Sequence, residues 1–137
     1  MRAIDTNVLV RLATRDDEKQ ARAADECISS GAWVSHVVLA ETAWVLMSLY
    51  GASRIALAGA VARFLDHVSL VVQDADVVRA ALAHFEQSKS LSFPDCLILE
   101  IARKAGQVPL CTFDRDLAKL DGAQLISEWI VGKKWRE

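Results

Sequence analysis

The sequence predicts an α/β protein with a single domain, in which a parallel sheet of about five strands has helices on both faces. Short apolar runs alternate along the chain with longer segments whose apolar residues recur with the period of an α-helix. The short runs are continuously apolar, which is typical of parallel strands that are covered on both faces. The chain has 137 residues, 53% of them hydrophobic, so residues 1–137 can form one domain around one core.

Five short segments carry the strand pattern. They are residues 2–5, 33–35, 69–72, 110–112 and 124–126. The helical period is clearest in three of the segments between them. These are residues 16–29, 53–66 and 74–87. In the second of these helices, for example, Leu57, Val61 and Phe64 follow the spacing i, i+4, i+7 and mark its apolar face.

Capping signals support a further helix near residue 93. Ser92 is suited to the N-cap, Pro94 to the first turn, and Gly106 to the end of that helix. Gly31 and Gly51 close two other helices in the same way. The prediction is therefore a regular alternation of strands and helices along the whole chain.

Composition limits the classes of function. The formal net charge is −2, which argues against tight non-specific binding of nucleic acid driven by the charge of the whole molecule. No apolar stretch has the length of a membrane span, and the N-terminus lacks the apolar core of a signal peptide. Three cysteines without metal-binding spacing (Cys27, Cys96 and Cys111) lie among apolar residues, which indicates buried free thiols in a reducing compartment. We therefore expect a cytoplasmic protein with no membrane partner.

Four acidic residues lie at the edges of apolar runs, where carboxylates are rarely placed without a function. Asp5 and Asp114 follow predicted strands, and open α/β sheets bind ligands at the carboxyl ends of their strands. Glu41 has only apolar residues three and four positions away on its helix. Asp95 precedes an apolar run in the first turn of its helix. We expect these four carboxylates to meet at one edge of the sheet.

Each of these acids also has a purely structural explanation. Asp5 fits the N-cap of a helix, and Asp95 fits a charge that complements the helix dipole. Asp114 or Asp116 fits the cap of a short helix. If Asp114 belongs to the site, Asp116 is a candidate auxiliary residue there. Glu41 fits the edge of a helix at an interface with a partner.

Four carboxylates in one place would require a cation. Two like charges about 4 Å apart repel by about 4 kcal/mol at an effective dielectric constant near 20. Oxygen ligands without thiolate or imidazole suit Mg²⁺ or Mn²⁺ rather than zinc. Such an ion polarises a phosphoryl oxygen and generates hydroxide from bound water, so hydrolysis of a phosphodiester bond is the reaction that fits.

The ordered set of acidic segments resembles the PIN domain, and most closely the VapC-type toxin ribonucleases. The segments are residues 5–7, 38–42, 93–98 and 112–116. The resemblance covers essentially the whole chain. It implies an endoribonuclease that depends on Mg²⁺ or Mn²⁺, acts on RNA, usually forms a homodimer and is held inactive by a cognate antitoxin protein.

The resemblance also implies roles for individual residues. Asp5, Asp95 and Asp114 would hold the metal, and Glu41 would complete the acidic quartet. Three further residues would orient these carboxylates. They are Thr6, Asn7 and Thr112. Cys96 stands where the family most often has alanine, which leaves the ligand at Asp95 unchanged.

Two other classes remain as alternatives. A phosphohydrolase of the haloacid-dehalogenase type would need a second acid two residues after Asp5, where this chain has Asn7. A non-catalytic interaction module with a PIN-like fold is the other alternative. For assembly, the apolar helical faces in residues 44–49 and 57–65 predict a symmetric homodimer.

Overall fold

The computed structural model describes residues 1–126 and contains the predicted alternation of strands and helices. The strands are β1 (Arg2–Ala3), β2 (Ala32–Val34), β3 (Leu70–Val72), β4 (Leu110–Thr112) and β5 (Ala123–Leu125). The helices are α1 (Thr6–Thr14), α2 (Glu18–Ile28), α3 (His36–Ser48), α4 (Arg54–Asp66), α5 (Ala75–Gln87) and α6 (Phe93–Lys104), with a short 3₁₀ helix at Leu117–Lys119. The α/β class is confirmed, and the elements lie within about two residues of their predicted bounds. The predicted domain end at residue 137 lies outside the described residues.

The strands pair in parallel, as predicted, but they form two sheets. β2 lies between β1 and β3 in a three-stranded sheet, and β4 pairs with β5 in a two-stranded sheet. The expectation of one sheet of about five strands therefore differs from the arrangement of residues 1–126. The brevity of β1 explains the difference, because two residues offer few backbone groups to a second neighbour.

The two faces of the three-stranded sheet differ in how far their side chains are buried. Ala32 and Val34 of β2 are buried, whereas Trp33 between them is 36% exposed. Val71 pairs with Trp33 in β3 and is 48% exposed. The side chains on one face of these strands are therefore fully buried, whereas the apolar side chains on the other face are partly exposed.

Capping side chains fix where the helices begin. The hydroxyl oxygens of Ser35, Ser53 and Ser92 accept hydrogen bonds from the backbone N–H three residues on, at 3.1, 3.0 and 3.2 Å. Ser92 therefore caps α6 as predicted, with Pro94 in its first turn. Gly106 follows α6 with a φ of +73°, a conformation that a side chain would strain.

The core lies between the buried sheet face and the helices. It includes the apolar face of α4 at residues 57–65, which was predicted to form part of a dimer interface. Leu57, Val61 and Phe64 of α4 are buried in this core. The face at residues 57–65 is therefore unavailable to a second subunit, and that part of the dimer prediction is wrong. Phe85 of α5 meets Phe93 of α6 edge to face, with ring centroids 5.9 Å apart. Within residues 1–126, no helix has the length and apolar character required to span a membrane.

Candidate functional site

Asp5 links the first strand to the first helix. It follows the buried Ile4 and forms the N-cap of α1, where its Oδ1 accepts a hydrogen bond from the backbone N–H of Val8 at 3.3 Å. Its side chain is exposed, and its Oδ2 has no hydrogen-bond partner among residues 1–126. Asp5 thus serves as a cap and keeps one carboxylate oxygen available to a ligand.

Glu41 lies in the second turn of α3 and contacts the start of α1. The hydroxyl of Thr6 donates a hydrogen bond to Glu41 Oε1 at 2.8 Å. Glu41 is exposed, and so are its apolar neighbours Val37 (71%) and Trp44 (60%). The apolar surroundings that the sequence predicts are therefore a surface patch and not a buried environment. This placement also agrees with the alternative that Glu41 lies at an interface.

Asp95 lies in the first turn of α6 and is half-buried. Its backbone N–H donates a hydrogen bond to Oγ of Ser92, the N-cap of α6, while its carboxylate has no hydrogen-bond partner among residues 1–126. Burial, and next the negative charge of Asp95, raise the pKa of the neighbouring Cys96 thiol to about 11. Cys96 is therefore a neutral thiol at pH 7 and is buried as predicted, whereas Cys111 is exposed, so the prediction of a buried thiol is wrong there.

Asp114 is exposed in the segment that follows β4, and local hydrogen bonds hold it in place. Its Oδ1 accepts hydrogen bonds from the backbone N–H groups of Asp116 and Leu117, at 2.8 and 3.1 Å. Thr112 Oγ1 accepts a hydrogen bond from the backbone N–H of Asp114 at 3.0 Å. Asp114 thus holds the turn that leads into the 3₁₀ helix, while Asp116 occupies the N-cap position of that helix and forms an exposed ion pair with Lys119 at 3.4 Å. Thr112 acts on the backbone of Asp114 and not on its carboxylate.

The packing of three helices relates these acids to one another. α3, which carries Glu41, packs against α1, which begins after Asp5, and against α6, which carries Asp95 in its first turn. Among residues 1–126, no group of three or more His, Cys, Asp or Glu residues is arranged to hold a metal ion. The structure therefore brings Glu41 to the start of α1, and the convergence of all four carboxylates remains a prediction.

The donor set nevertheless fits a hard cation. All four residues supply carboxylate oxygens, and all are exposed or half-buried. Asp95 and one oxygen of Asp5 have no hydrogen-bond partner among residues 1–126.

Two polar contacts that the sequence does not reveal fix the helix that carries Glu41. At its start, Gln73 accepts two hydrogen bonds from His36: Oε1 from the backbone N–H at 2.9 Å, and the carbonyl oxygen from Nε2 at 2.8 Å. Beyond its end, the hydroxyl of Tyr50 accepts from Arg11 of α1 at 2.9 Å and donates to Asp16 at 2.8 Å. These partners lie 34 to 39 positions apart, so no local pattern could indicate them.

Comparison with known families gives a match over nearly the whole described chain. A family model described as PIN domain matches residues 3–123. The matched range includes all four acids and the four supporting residues that were predicted from the sequence. A search among curated proteins found no significant match.

Proposed function

The chain belongs to the PIN-domain family, and from that premise we propose that it is a metal-dependent endoribonuclease that hydrolyses RNA phosphodiester bonds. The family supports a nuclease, and the contact between Thr6 and Glu41 is the structural observation that carries the proposal. This contact joins two of the acidic segments that are distant in sequence. Neither helix needs this contact as a cap, because Asp5 already caps α1 and Ser35 already caps α3.

We assign the binding of Mg²⁺ or Mn²⁺ to Asp5, Glu41, Asp95 and Asp114. When bound, such an ion supplies polarisation of a phosphoryl oxygen and a water of lowered pKa. Neighbouring residues of the chain hold and orient the carboxylates that would bind the ion. The Thr6 hydroxyl holds one oxygen of Glu41 and leaves the other for the cation. The amides of Asp116 and Leu117 hold Oδ1 of Asp114 in the same way.

The direct test is cleavage of a labelled single-stranded RNA by the purified protein. Cleavage should require Mg²⁺ or Mn²⁺, stop with EDTA, and be lost in Asp95→Asn and Glu41→Gln. Asp66→Asn is a matched control, because Asp66 is an exposed acid at the end of α4 whose weak ion pair with Arg79 spans 3.6 Å. Cleavage that persists in EDTA, or that survives in both site variants, would exclude the metal-dependent mechanism.

We also propose that the protein is a cytoplasmic toxin of a toxin–antitoxin pair. The support is the resemblance of its four acidic segments to VapC-type ribonucleases, together with an acidic site that a basic side chain of an antitoxin could occupy. Expression of the chain alone should arrest growth, and expression of Asp95→Asn should not. The product of a neighbouring reading frame should restore growth and co-purify with the chain. Normal growth with active nuclease present would contradict the toxin assignment while leaving the enzyme assignment in place.

A homodimer is the assembly that we propose, through the exposed apolar residues of α3. Val37 and Trp44 lie on the outer face of this helix, and Leu49 follows its end with 68% of its surface exposed. Isolated apolar residues at a surface are common, but a series along one helix is typical of an interface. The second predicted face, at residues 57–65, does not contribute because it is buried in the core.

A further inference from the structure

Residues 110–126, the segment that carries Asp114, form a small unit at the end of the described chain. Within residues 1–126, β4 and β5 pair only with each other, and the 3₁₀ helix packs against both strands. A sheet of two strands is only marginally stable by itself, so the segment depends on its contacts with the rest of the fold. Leu117 supplies an apolar contact, since it is buried in the core. The position of Asp114 therefore depends on how this segment is held.

Arg103, in the last turn of α6, makes the polar contacts between this segment and the rest of the described chain. Its Nη1 donates a hydrogen bond to the backbone carbonyl oxygen of Asp121 at 3.0 Å and lies 3.4 Å from Oδ2 of the same residue. Among residues 1–126, every other hydrogen bond and ion pair of residues 110–126 stays inside the segment. Arg103 is thus the polar link between the segment and the helices.

Gly122 allows the side chain of Arg103 to pass close to the backbone of the segment. A Cβ atom on Gly122 would lie 2.8 Å from Nη1 of Arg103 and 3.5 Å from its Cγ and Cδ. The φ of Gly122 is +89°, a conformation that a side chain would strain. The turn before β5 is therefore shaped to receive this arginine.

Glu100 pairs with the same guanidinium from within α6. Its side chain is only 11% exposed, and its Oε2 lies 3.1 Å from Nε of Arg103 and 3.6 Å from Nε2 of His84. This oxygen is buried and has no aligned hydrogen bond among residues 1–126, so the ion pair with Arg103 balances its charge. Because Nε faces Glu100 and Nη1 faces Asp121, one planar group connects α6 to the segment.

We infer that Arg103 is a positioning residue that fixes the segment of Asp114 relative to Asp95. Asp95 lies in the first turn of α6 and Arg103 in its last turn, about 12 Å further along the same helix axis. A helix is a rigid connection, so a segment held at one end of α6 has a defined position relative to the other end. The inference rests on the proposed function for the role of the two acids as metal ligands, and the link itself can be measured without metal.

The first test is amide hydrogen exchange in the full chain without divalent ions. Arg103→Ala should speed the exchange of the amides of Leu110 and Ile126, whose hydrogen bonds join the two ends of the β4–β5 pair, by about threefold or more, and leave exchange in α4 unchanged. Lys104→Ala is the matched control, because Lys104 is the next residue of α6 and forms its ion pairs with acids at the start of α5. Equal exchange in the two variants, or faster exchange throughout the chain, would overturn the inference.

Arg103→Lys separates the link to the segment from the balance of the Glu100 charge. Lysine keeps a cation beside Glu100 but lacks the planar fork that reaches Asp121 at the same time. Exchange in residues 110–126 should therefore still be faster than in the parent. If Arg103→Lys exchanges like the parent while Arg103→Ala does not, Arg103 serves only to neutralise Glu100 and the inference is wrong.

Two glycine substitutions test the contact from the side of the segment. Gly122→Ala brings a Cβ atom against Arg103, whereas Gly106→Ala meets no atom within 4 Å, and both glycines have a positive φ, +89° and +73°. Gly122→Ala should therefore lower the urea midpoint more than Gly106→Ala does in the parent, and by a similar amount in the Arg103→Ala background. A difference that persists in that background would show that Arg103 does not pack on this turn, which contradicts the inference.

Titration with Mn²⁺ tests whether the link serves the acidic site. Mn²⁺ should bind to Arg103→Ala and Arg103→Lys about threefold or more weakly than to the parent, and to Lys104→Ala as tightly as to the parent. Unchanged affinity in the Arg103 variants of a parent that binds Mn²⁺ would overturn the positioning role. A parent that binds no Mn²⁺ would refute the proposed function instead, and the exchange measurements would then decide whether Arg103 holds the segment.

Discussion

Thr6 and Glu41 are joined by a hydrogen bond of 2.8 Å although they lie 35 positions apart in the chain. The bond crosses from the first turn of α1 to the second turn of α3, so it sets the position of Glu41 relative to Asp5. Both helices have their own caps, and the contact is exposed. Its contribution to stability should therefore be small, about 1 kcal/mol, and its main effect should be on the acidic site.

The first prediction concerns this contact. Thr6→Val keeps the shape of the side chain and removes the donor, so Glu41 should lose its fixed orientation and the affinity for Mn²⁺ should fall by about tenfold or more. Thr6→Ser restores a hydroxyl and should restore most of the affinity. Calorimetric titration with Mn²⁺ measures the change. Equal affinities in Thr6→Val and the parent would show that Glu41 needs no support from Thr6.

The second prediction separates the two roles of Asp5. Asn is as good an N-cap as Asp, so Asp5→Asn should preserve the stability of α1, whereas Asp5→Ala should lose about 1 kcal/mol with the cap. Mg²⁺ at 100 times its Kd should stabilise the parent by about 2.7 kcal/mol. Both variants should lose that response. Urea unfolding with and without Mg²⁺ provides the measurement, and an unchanged Mg²⁺ response in Asp5→Asn would exclude Asp5 as a ligand.

The sequence predicted the order of elements because their signals are local. Ser92, Pro94 and the period of the helices act within a few residues, and the structure confirms each of them. The division into two sheets depends on which strands exchange backbone hydrogen bonds over long separations. The partial exposure of Trp33 and Val71 could not be predicted either, since a continuous apolar run has the same sequence whatever the exposure of its two faces.

The sequence singles out the acidic residues, whereas their hydrogen bonds and exposure are seen only in the structure. Asp5 and Asp114 were recognised near strand ends, and the structure shows that Asp5 also caps α1 and that Asp114 holds the turn after β4. Apolar neighbours singled out Glu41 on its helix, but spacing on a helix does not say whether that face meets the core or solvent. The contacts of Glu41 with Thr6, and of His36 with Gln73, arise from packing between distant segments.

The third prediction concerns Arg54, which holds the end of α5. Its guanidinium donates hydrogen bonds to the carbonyl oxygens of Leu91, Phe85 and Ser88 at 2.7 to 2.8 Å, and its carbon lies 3.8 Å from the centre of the Phe85 ring. Lysine cannot reproduce this planar fork, so Arg54→Lys should lower the free energy of unfolding by about 1–3 kcal/mol. Arg79→Lys is the control, because Arg79 is exposed and should change stability by less than about 0.5 kcal/mol. Equal denaturation midpoints in the two variants would contradict the role of Arg54.

The fourth prediction is a pH dependence that originates at Asp16. Hydrogen bonds from Thr14 and then Tyr50, with the charge of Arg11, hold the pKa of Asp16 below its usual value. The unfolded chain therefore binds a proton at higher pH than the folded chain. The contribution of ionised Asp16 to the stability of the fold is complete above about pH 4. It is lost as the pH falls through the pKa of Asp16 in the folded chain.

Tyr50→Phe removes one of these hydrogen bonds and tests the assignment. The parent should melt at a higher temperature than Tyr50→Phe at pH 6, and the difference should shrink towards pH 2. Thermal midpoints at four or five values of pH measure it. A difference that stays constant over this range would show that Asp16 does not titrate through the contact with Tyr50.

The last prediction concerns the outer face of α3, where Glu41 lies between Val37 and Trp44. Trp44 is 60% exposed, so Trp44→Glu should leave the fold of the single chain intact. If this face forms the homodimer, a charge at its centre would be desolvated without a partner, and the variant should be monomeric by light scattering at concentrations where the parent is dimeric.

Ile55→Glu is the matched control, because Ile55 is 86% exposed on α4 and outside the proposed interface. A monomeric parent, or a Trp44→Glu variant that dimerises like Ile55→Glu, would place the apolar residues of α3 outside any self-association. Since Glu41 shares this face, a dimer would also limit the direction from which RNA reaches the acidic residues, and Trp44→Glu should then change the rate of RNA cleavage together with the mass.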